Sequence, residues 1–396
     1  MKTVIAILAM LSAFELVAQD SGKAAPAMVS TQSGEVKVER MAKLDNPWGM
    51  AFLPDGRLLI TEKPGRLRIY ARGKLSPPIK GVPKVDYLAQ GGLLDVEVDP
   101  AFARNQWVYL SYSERASQQP SDATEPGDAR FVPAIDKTDI TLKGGAVARG
   151  KLVGNQLRDV KVIWRQAPKM IGRGHFGHRL VFAPDGKLLI TSGERMRFDP
   201  AQDLDGNLGK VVRINSDGSI PRDNPFFDAK DRRTDVWSLG HRNVLSAAIN
   251  PTSKQLWIVE MGPKNGDELN IVTRRSNYGW PVVSNGDNYD DSPIPDHATD
   301  RGFEAPIRSW TPVISPSGLL FYSGDLFSAW RGNALMGGLS SKALIRMTLD
   351  GNQVTGEERI NMGERIRDVI QASDGSVLML VDGKDGALLR LTPSGQ

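Results

Sequence analysis

The chain has 396 residues, a net charge of +4 and no cysteine. The charge is small and spread along the chain, which excludes the concentrated basic surface of a nucleic-acid-binding protein. Without cysteine the chain has no disulfide bonds and no thiol chemistry. Its 40 glycines and 25 prolines are typical of a turn-rich, all-β protein.

The N-terminal segment has the pattern of an export signal. Residues 1–18 combine an early lysine with an apolar run of about ten residues, which predicts a signal peptide cleaved near Ala18. The run is too short to span a bilayer, so we expect no integral membrane association. Residues 19–35 are small and polar, which predicts a flexible leader. An exported, cysteine-free protein of this kind is expected in a bacterial periplasm.

One unit then recurs about six times: an apolar strand, a turn that contains Asp-Gly or proline, and a second apolar strand. Such repeats predict small antiparallel sheets arranged in a ring. We therefore predict that residues 36–396 form a single all-β domain, a six-bladed β-propeller. The repeats lie at Trp48–Thr61, Gly92–Tyr112, His178–Thr191, Ser246–Glu260, Ser317–Met347 and Ile366–Leu380.

Two stretches depart from the repeat, Arg115–Lys137 and Asn285–Arg301. Both are polar and rich in turn-forming residues, so we expect long surface loops. Loops of this length on a propeller are either functional rims around a site or simple insertions.

His175 is the first candidate for chemistry, because glycines flank its sequence Gly-His-Phe-Gly directly before a strand. A propeller directs such strand starts towards its central channel, although an isolated histidine is more often a buried structural residue. A basic imidazole needs a carboxylate that fixes its tautomer. Glu194 follows the next strand and is the first candidate; Asp199 and Asp203 are alternatives.

Two further clusters contain groups that bind ligands. Arg242 and Asn243 follow a glycine at another strand start, where a guanidinium could bind a polycarboxylated or quinonoid ligand, or simply form a solvated turn. Gly262 and Pro263 form a turn whose carbonyls suit a hard cation such as calcium, while a charged hairpin without metal is the alternative. Nearby oxygen ligands are supplied by Asp267, Glu268 and Tyr278.

Together these motifs resemble the soluble aldose sugar dehydrogenase (soluble glucose dehydrogenase) family. These enzymes are six-bladed propellers that depend on pyrroloquinoline quinone (PQQ) and calcium. The resemblance runs from about residue 38 to 393 with the motifs in order. The motifs are Gln90–Asp95, Gly174–Gly177, Gly240–Asn243, Gly262–Asn270, Asn277–Pro281 and Arg365–Asp368.

The resemblance implies a role for each matching residue. His175 is expected to be the general base that takes the proton of the sugar's C1 hydroxyl. Arg242 is expected to stabilise charge on the reduced quinone. The implied cofactor contacts are Gln90, Arg242, Asn243, Arg365 and Arg367; the calcium at PQQ is held by the carbonyls of Gly262 and Pro263, and a second, structural calcium by Glu268 and Tyr278.

Several positions depart from the family pattern. Ser340 stands where the family has a cofactor-binding lysine, and Lys342 lies two residues later, almost 7 Å along a strand by the usual rise of roughly 3.3 Å per residue. Lys342 is therefore expected to replace that lysine if it lies on the same strand face. The other departures are Val244, Leu245, Met261 and His178, the last in place of a glycine.

We therefore predict a periplasmic dehydrogenase that oxidises the C1 hydroxyl of aldoses to lactones, with PQQ and calcium as cofactors and a soluble electron acceptor as partner. The alternative is a propeller without redox function, either a sugar- or protein-binding module or a calcium-dependent lactonase. A lactonase would need calcium but no quinone.

Overall fold

The repeated Asp-Gly sequences form the same tight turn in the computed structural model, which describes residues 27–120, 141–230, 233–297 and 302–395. In the first repeat the Gly56 N–H donates to the Leu53 carbonyl (2.9 Å) and the Asp55 carboxylate accepts the Arg57 N–H (3.1 Å). Gly56 has a φ of 83°, which favours glycine over other residues. The same bonds recur around Gly186 and Gly375. Each turn joins the first two strands of an antiparallel sheet, four-stranded around Gly56 and Gly186 and five-stranded around Gly375.

The strands follow one another along the chain, sheet by sheet, after two N-terminal strands. The N-terminal strands are β1 (Ala27–Thr31) and β2 (Gly34–Leu44). The first sheet holds β3 (Pro47–Phe52), β4 (Leu58–Glu62), β5 (Arg66–Ala71) and β6 (Lys74–Leu75). The second holds β7 (Leu93–Val98), β8 (Trp107–Arg115), β9 (Lys143–Val153) and β10 (Gln156–Arg165). The third holds β11 (Gly177–Phe182), β12 (Leu188–Ser192), β13 (Lys210–Ile214) and β14 (Val236–Leu239).

The remaining sheets repeat this order. The fourth holds β15 (Val244–Ile249), β16 (Leu256–Glu260), β17 (Asp267–Val272) and β18 (Arg308–Trp310). The fifth holds β19 (Pro316–Phe321), β20 (Ala334–Gly338), β21 (Ala343–Asp350) and β22 (Gln353–Asn361). The sixth holds β23 (Ile366–Gln371), β24 (Val377–Val381) and β25 (Gly386–Pro393). A four-residue helix, α1 (Phe102–Asn105), and two 3₁₀ turns, Asp199–Ala201 and Ser328–Trp330, connect strands.

The two chain ends meet in the sixth sheet, whose order is β1-β2-β25-β24-β23. β2 pairs antiparallel with β25 from Val36 opposite Pro393 to Leu44 opposite Gly386. The predicted flexible leader, residues 19–35, is therefore wrong from residue 27 onwards, because its backbone hydrogen bonds are used in β1 and the start of β2. The six-bladed propeller predicted from the repeats is confirmed.

The first strands of the six sheets (β3, β7, β11, β15, β19 and β23) contact one another around the central channel. Each has a shift in its pairing with the second strand near its start, as between Gly177 and Leu180 in β11. A bulge of this kind changes the direction of a side chain. The repeated bulge therefore turns residues at one mouth of the channel towards its axis.

The second strands form the buried centre of the blades. All residues of β4, β12, β16, β20 and β24 are buried, because neighbouring sheets cover both of their faces. This packing explains why Leu58–Glu62 and Val377–Val381 are almost continuously apolar rather than alternating. The first and second strands are antiparallel, so each sheet brings the start of one and the end of the other to the same channel mouth.

Some predictions concern residues outside the described ranges. These are the signal peptide of residues 1–18, residues 19–26 of the leader, most of the loop Arg115–Lys137, and residues 298–301 of the second loop. In the part of the chain that is described, no helix has the length and apolarity needed to cross a membrane.

Candidate active site

A pocket at one channel mouth is formed by the strand ends that the topology brings together. Its cavity volume is about 270 Å³. Aromatic, aliphatic, polar and charged residues at or just before the starts of the first strands line it. The residues that directly follow the second strands β4, β16 and β20 also line it: Lys63, Met261 and Leu339. The full lining is Trp48, Lys63, Gln90, Leu94, Phe176, Gly177, Leu245, Met261, Ser315, Leu339, Arg365 and Arg367. We refer to it as the cationic pocket.

His175 lies beside this pocket and is 4% exposed. Its backbone N–H donates to Gln90 Oε1 (2.8 Å), and the next residues, Phe176 and Gly177, line the pocket. His175 Nδ1 contacts Glu194 Oε1. The structure thus brings together the two residues for which the sequence predicted a base and its carboxylate. The two alternative carboxylates, Asp199 at the start of the 3₁₀ turn and Asp203 just after it, are both exposed.

Glu194 is held in place from its other oxygen. Glu194 Oε2 accepts the backbone N–H groups of Arg197 and Phe198, the latter at 3.0 Å. Three residues of this tight loop have positive φ angles near 60°: Arg195, Met196 and Phe198. The loop therefore fixes the carboxylate, and the carboxylate fixes the imidazole, with the proton kept on Nδ1 and Nε2 as the basic nitrogen.

The charges at this pair favour a neutral histidine beside an ionised glutamate. Burial lowers the pKa of His175, and the nearby charge of Arg242 lowers it further. Burial acts to raise the pKa of Glu194, but the charges of His175 and Arg242 and the hydrogen bonds that it accepts keep that pKa below its usual value. His175 is therefore unprotonated at neutral pH, which is the state that a general base requires.

His178, three residues further on, is a core residue. Its ring lies between Trp164 and Phe176, at centroid distances of 5.9 and 6.4 Å. Burial lowers the pKa of His178 to about 3, so the ring is neutral. Its φ of 80° lies in the region that glycine prefers, which fits its place at a family glycine.

Arg242 borders a second, much smaller pocket, with a cavity volume of about 10 Å³. Its Nη1 donates to the carbonyls of Met261 (3.0 Å) and Gly262 (2.6 Å), and its guanidinium lies 5.1 Å from the Trp280 ring. Arg242 Nε is buried and has no acceptor among the described residues. Since Met261 also lines the cationic pocket, the two pockets are neighbours.

Asn243 connects the strand starts instead of projecting into the cationic pocket. Its Oδ1 accepts the N–H of Gly177 (3.1 Å), and its carbonyl accepts the N–H of Met261 (3.1 Å). The side chain is 1% exposed. In this structure Asn243 thus positions the strands that carry His175 and Gly262.

The four predicted calcium ligands all border the small pocket. The Gly262 carbonyl accepts from Arg242, Glu268 Oε1 lies 3.2 Å from His297 Nε2, and the Tyr278 hydroxyl donates to the Ile271 carbonyl (2.7 Å). Within the described ranges, no group of three or more His, Asp or Glu side chains could hold a metal ion. A cation here would therefore depend on carbonyl oxygens.

The two predicted arginines of the last blade lie together on the wall of the cationic pocket. Arg365 Nε donates to one oxygen of Asp382 (3.1 Å), and Arg367 donates to the other through Nε and Nη2 (3.0 and 2.9 Å). Lys342 is exposed in the turn between β20 and β21, where Leu339 is the residue that lines the pocket. The structure therefore brings Arg365 and Arg367 to the pocket and leaves Lys342 on the surface.

Lys63, Trp48 and Asp382 were missed by the sequence reasoning. Lys63 lies in the Lys-Pro-Gly turn between β4 and β5, which reads as a solvated hairpin. Its position in the sequence could have indicated its role. Lys63 directly follows a buried second strand, as Met261 and Leu339 do in their own sheets, and all three residues line the pocket. Among the departures from the family, Leu245 and Met261 line the pocket, whereas Val244 is buried in β15.

A family model described as "Glucose / Sorbosone dehydrogenase" matches residues 44–390 of this chain. The chain belongs to this family. Aldose sugar dehydrogenase YliI of Escherichia coli K12 is 40% identical over 359 residues, which cover 89% of this chain and 91% of the relative. The resemblance seen in the motifs is thereby confirmed, and the chain is an enzyme of the oxidoreductase class.

Solved structures agree with the fold of this dehydrogenase. The apo form of the soluble aldose sugar dehydrogenase from E. coli superposes with a TM-score of 0.82 at 39% identity, and the match covers 90% of this chain and 99% of that one. The PQQ-bound aldose sugar dehydrogenase of Streptomyces coelicolor gives a TM-score of 0.67 at 24% identity, covering 90% and 98%. At that identity the second comparison shows the fold alone.

Proposed function

We propose that this enzyme is a PQQ- and calcium-dependent dehydrogenase that oxidises the C1 hydroxyl of aldose sugars to lactones, with His175 as the general base. The observation that carries the proposal is the buried, neutral His175, held by Glu194 at the edge of a pocket lined by cations. The E. coli relative is an aldose sugar dehydrogenase, which supports the substrate class, and the S. coelicolor protein of the same fold contains PQQ.

The charges and donors of the site fit this cofactor. PQQ is a flat tricarboxylate, and guanidinium groups bind carboxylates through two parallel hydrogen bonds. Arg365 and Arg367 are available on one wall, with only Asp382 between them, and Gln90 lies on another. Arg242 has a buried Nε without an acceptor in the described structure, which a quinone oxygen could satisfy.

The carbonyls of Gly262 and Pro263 would hold the calcium that polarises the quinone. The Gly262 carbonyl accepts Arg242 Nη1 in this structure, so calcium and Arg242 compete for that oxygen. We retain Glu268 and Tyr278 as proposed ligands of a second calcium, with Glu268 released from His297.

Each residue of this chain then has one task. His175 Nε2 takes the proton of the C1 hydroxyl, and Glu194 stabilises the imidazolium that forms. As the proton leaves, the C1–O bond becomes a carbonyl and C1 loses a hydride, so the sugar gives up two electrons in all. PQQ, when bound, supplies the acceptor for that hydride. Arg242 stabilises the negative charge that this transfer creates.

A soluble electron acceptor would then reoxidise the enzyme. Export to the periplasm by the N-terminal signal is part of the same proposal, because sugars and such acceptors would meet the enzyme there.

Reconstitution of the purified apo-protein tests the proposal directly. PQQ and Ca²⁺ are added together and separately, and dye reduction is followed with glucose and a panel of other aldoses. Reduction that requires both additions supports the dehydrogenase. Absence of dye reduction together with calcium-dependent lactone hydrolysis would instead support the lactonase.

A further inference from the structure

Lys63 has a fixed position at the cationic pocket. Its backbone N–H donates to the Asn46 carbonyl (2.9 Å), and its own carbonyl accepts the Leu93 N–H (2.9 Å). These bonds tie the turn between β4 and β5 to the loop before β3 on one side and to β7 on the other. A residue fixed on both sides loses little further entropy when it binds a ligand.

The ammonium group of Lys63 lies beside the loop that precedes β7. Nζ donates to the Ala89 carbonyl and lies 5.7 Å from the centroid of the Tyr87 ring. Carbonyl and ring supply partial negative charge, but neither is a counter-ion. A carboxylate from a ligand would therefore be a stronger partner than either of them.

The charges around Lys63 leave room for an anion. Arg365 and Arg367 project from the start of β23 into the same pocket, and both are bound to the single carboxylate of Asp382. Burial, and then the nearby charge of Arg367, lower the pKa of Lys63, while the charge of Asp382 acts in the opposite direction. Three cations therefore line the pocket, and Asp382 is the carboxylate that the two arginines contact in the described structure, so the wall as a whole attracts anions.

Lys342 differs from Lys63 in each of these respects. It is exposed, and it lies in a turn of the fifth sheet that contributes Leu339 to the pocket. Its φ of 50° places it in a left-handed turn rather than on the face of β20 or β21.

We propose that Lys63 binds a carboxylate of the quinone cofactor, and that it takes over the task expected of Lys342. The inference rests on the proposed function, because it assumes a polycarboxylate ligand in this pocket. It assigns the cofactor-binding lysine to the first blade, next to the two arginines of the sixth.

The electrostatics of the pocket give the proposal a second, independent signature. Burial lowers the pKa of Lys63 to about 8, with Arg367 contributing. A bound carboxylate would raise that pKa, so binding would take up a proton above about pH 8. The affinity of the wild type for PQQ should therefore fall as the pH rises from about 7 to about 9.5.

The test measures PQQ affinity of the full-length protein in calcium-containing buffer, by tryptophan fluorescence, at about pH 7 and about pH 9.5. Lys63→Met should weaken binding by about tenfold or more at the lower pH, as expected for loss of a charge-assisted hydrogen bond. Lys63→Arg should keep the affinity within about threefold and reduce its pH dependence, because arginine stays charged. Lys342→Met is the matched control and should bind like the wild type.

The outcomes separate the two proposals. Lys63→Met with unchanged affinity, or a loss with Lys342→Met alone, would overturn the assignment of Lys63 while leaving the quinone function intact. A wild-type protein that binds no PQQ would overturn both. Thermal melting of each variant, together with the Lys63→Arg result, distinguishes loss of a ligand contact from loss of the fold.

Discussion

The two mouths of the central channel carry opposite charge. The cationic pocket is lined by Lys63, Arg365 and Arg367. The pocket at the other mouth has a cavity volume of about 340 Å³, and its lining includes the carboxylates of Asp95, Glu97 and Asp368. Since both are open at the axis of the same propeller, shape alone does not distinguish them. Charge does, and only the first is suited to an anionic cofactor.

Arg179 separates the two pockets. Its guanidinium contacts Asp95 (3.3 Å) and Asp368 (3.1 Å) on the acidic side. On the other side it donates to the carbonyl of Leu245 (2.8 Å) and lies 4.3 Å from the centroid of the Trp48 ring, both in the cationic pocket. The bulge at the start of β11 turns this side chain across the channel. One buried cation therefore lies between the two pockets and offsets part of the negative charge of the acidic one.

His175→Asn should have the largest effect, because it removes the proposed base at the cationic mouth. Loss of a general base lowers the turnover number by about 10²–10⁴-fold. PQQ affinity should stay within about threefold, since asparagine removes a proton acceptor rather than a charge. Dye-coupled turnover and a PQQ titration measure the two effects separately.

The matched control is His178→Gly, which changes a core histidine three residues away and suits the local φ of 80°. It should cost stability but retain turnover. In the wild type, kcat/KM should fall only below about pH 6.5, because the base must be neutral and the pKa of His175 is lowered from that ordinary value. Unchanged turnover in His175→Asn would refute its role.

The sequence predicted those parts of the fold and site that depend on local patterns. Repeated Asp-Gly turns predicted the blades. The position of Glu194 just beyond the next strand made it the first candidate partner of His175, with Asp199 and Asp203 as alternatives, and the two residues are in contact. The alternation of Arg365 and Arg367 predicted that both would reach one side. Each of these relations lies within a single sheet.

The relations between sheets could not be predicted in the same way. Closure of the ring places Lys63 of the first blade beside Arg367 of the sixth, although about 300 residues separate them, and no local pattern encodes such long-range pairing. The N-terminal strands were missed for a related reason: β1 pairs locally with β2, but β2 joins a sheet only through its pairing with β25 at the other end of the chain. Asp382 likewise has a function only when both arginines reach it.

Arg179→Met tests the separation of the two mouths. Removal of one partner from a buried ion pair destabilises a protein by about 3–5 kcal/mol. Burial already raises the pKa of Asp368 to about 6, and loss of Arg179 would raise it further. Protonation then favours the folded state, so the loss should be smaller at about pH 5 than at about pH 7.5. Urea unfolding at both pH values measures this difference, and equal losses would contradict it.

Arg367→Gln should reduce the positive charge of the cationic pocket, and with it the difference in charge between the two mouths. Loss of charge-assisted hydrogen bonds of about 1.5–3 kcal/mol corresponds to a fall in PQQ affinity of about 10–100-fold. Asp382 keeps Arg365 as its partner, which limits structural damage. Glu97→Gln, at the acidic mouth, is the control and should leave the affinity unchanged. Comparable losses in both variants would mean that the overall field, and not the pocket, determines binding.

Glu97→Gln should have the smallest effect, a change in the free energy of unfolding that depends on pH. Burial, with Asp95 and Asp368 contributing, raises the pKa of Glu97 to about 8, above the ordinary 4.5. The folded state therefore holds the proton more tightly, and the wild type loses stability as the pH rises from about 4.5 to about 8. A glutamine side chain has no proton to lose, so the free energy of unfolding of the variant should equal that of the wild type near about pH 5. Near about pH 9 it should be higher by about 1–2 kcal/mol. The difference is modest because the Glu97 side chain is partly exposed. Urea unfolding across this range measures the gap, and a gap that stays constant with pH would show that Glu97 is ionised throughout and that the acidic mouth carries its full negative charge.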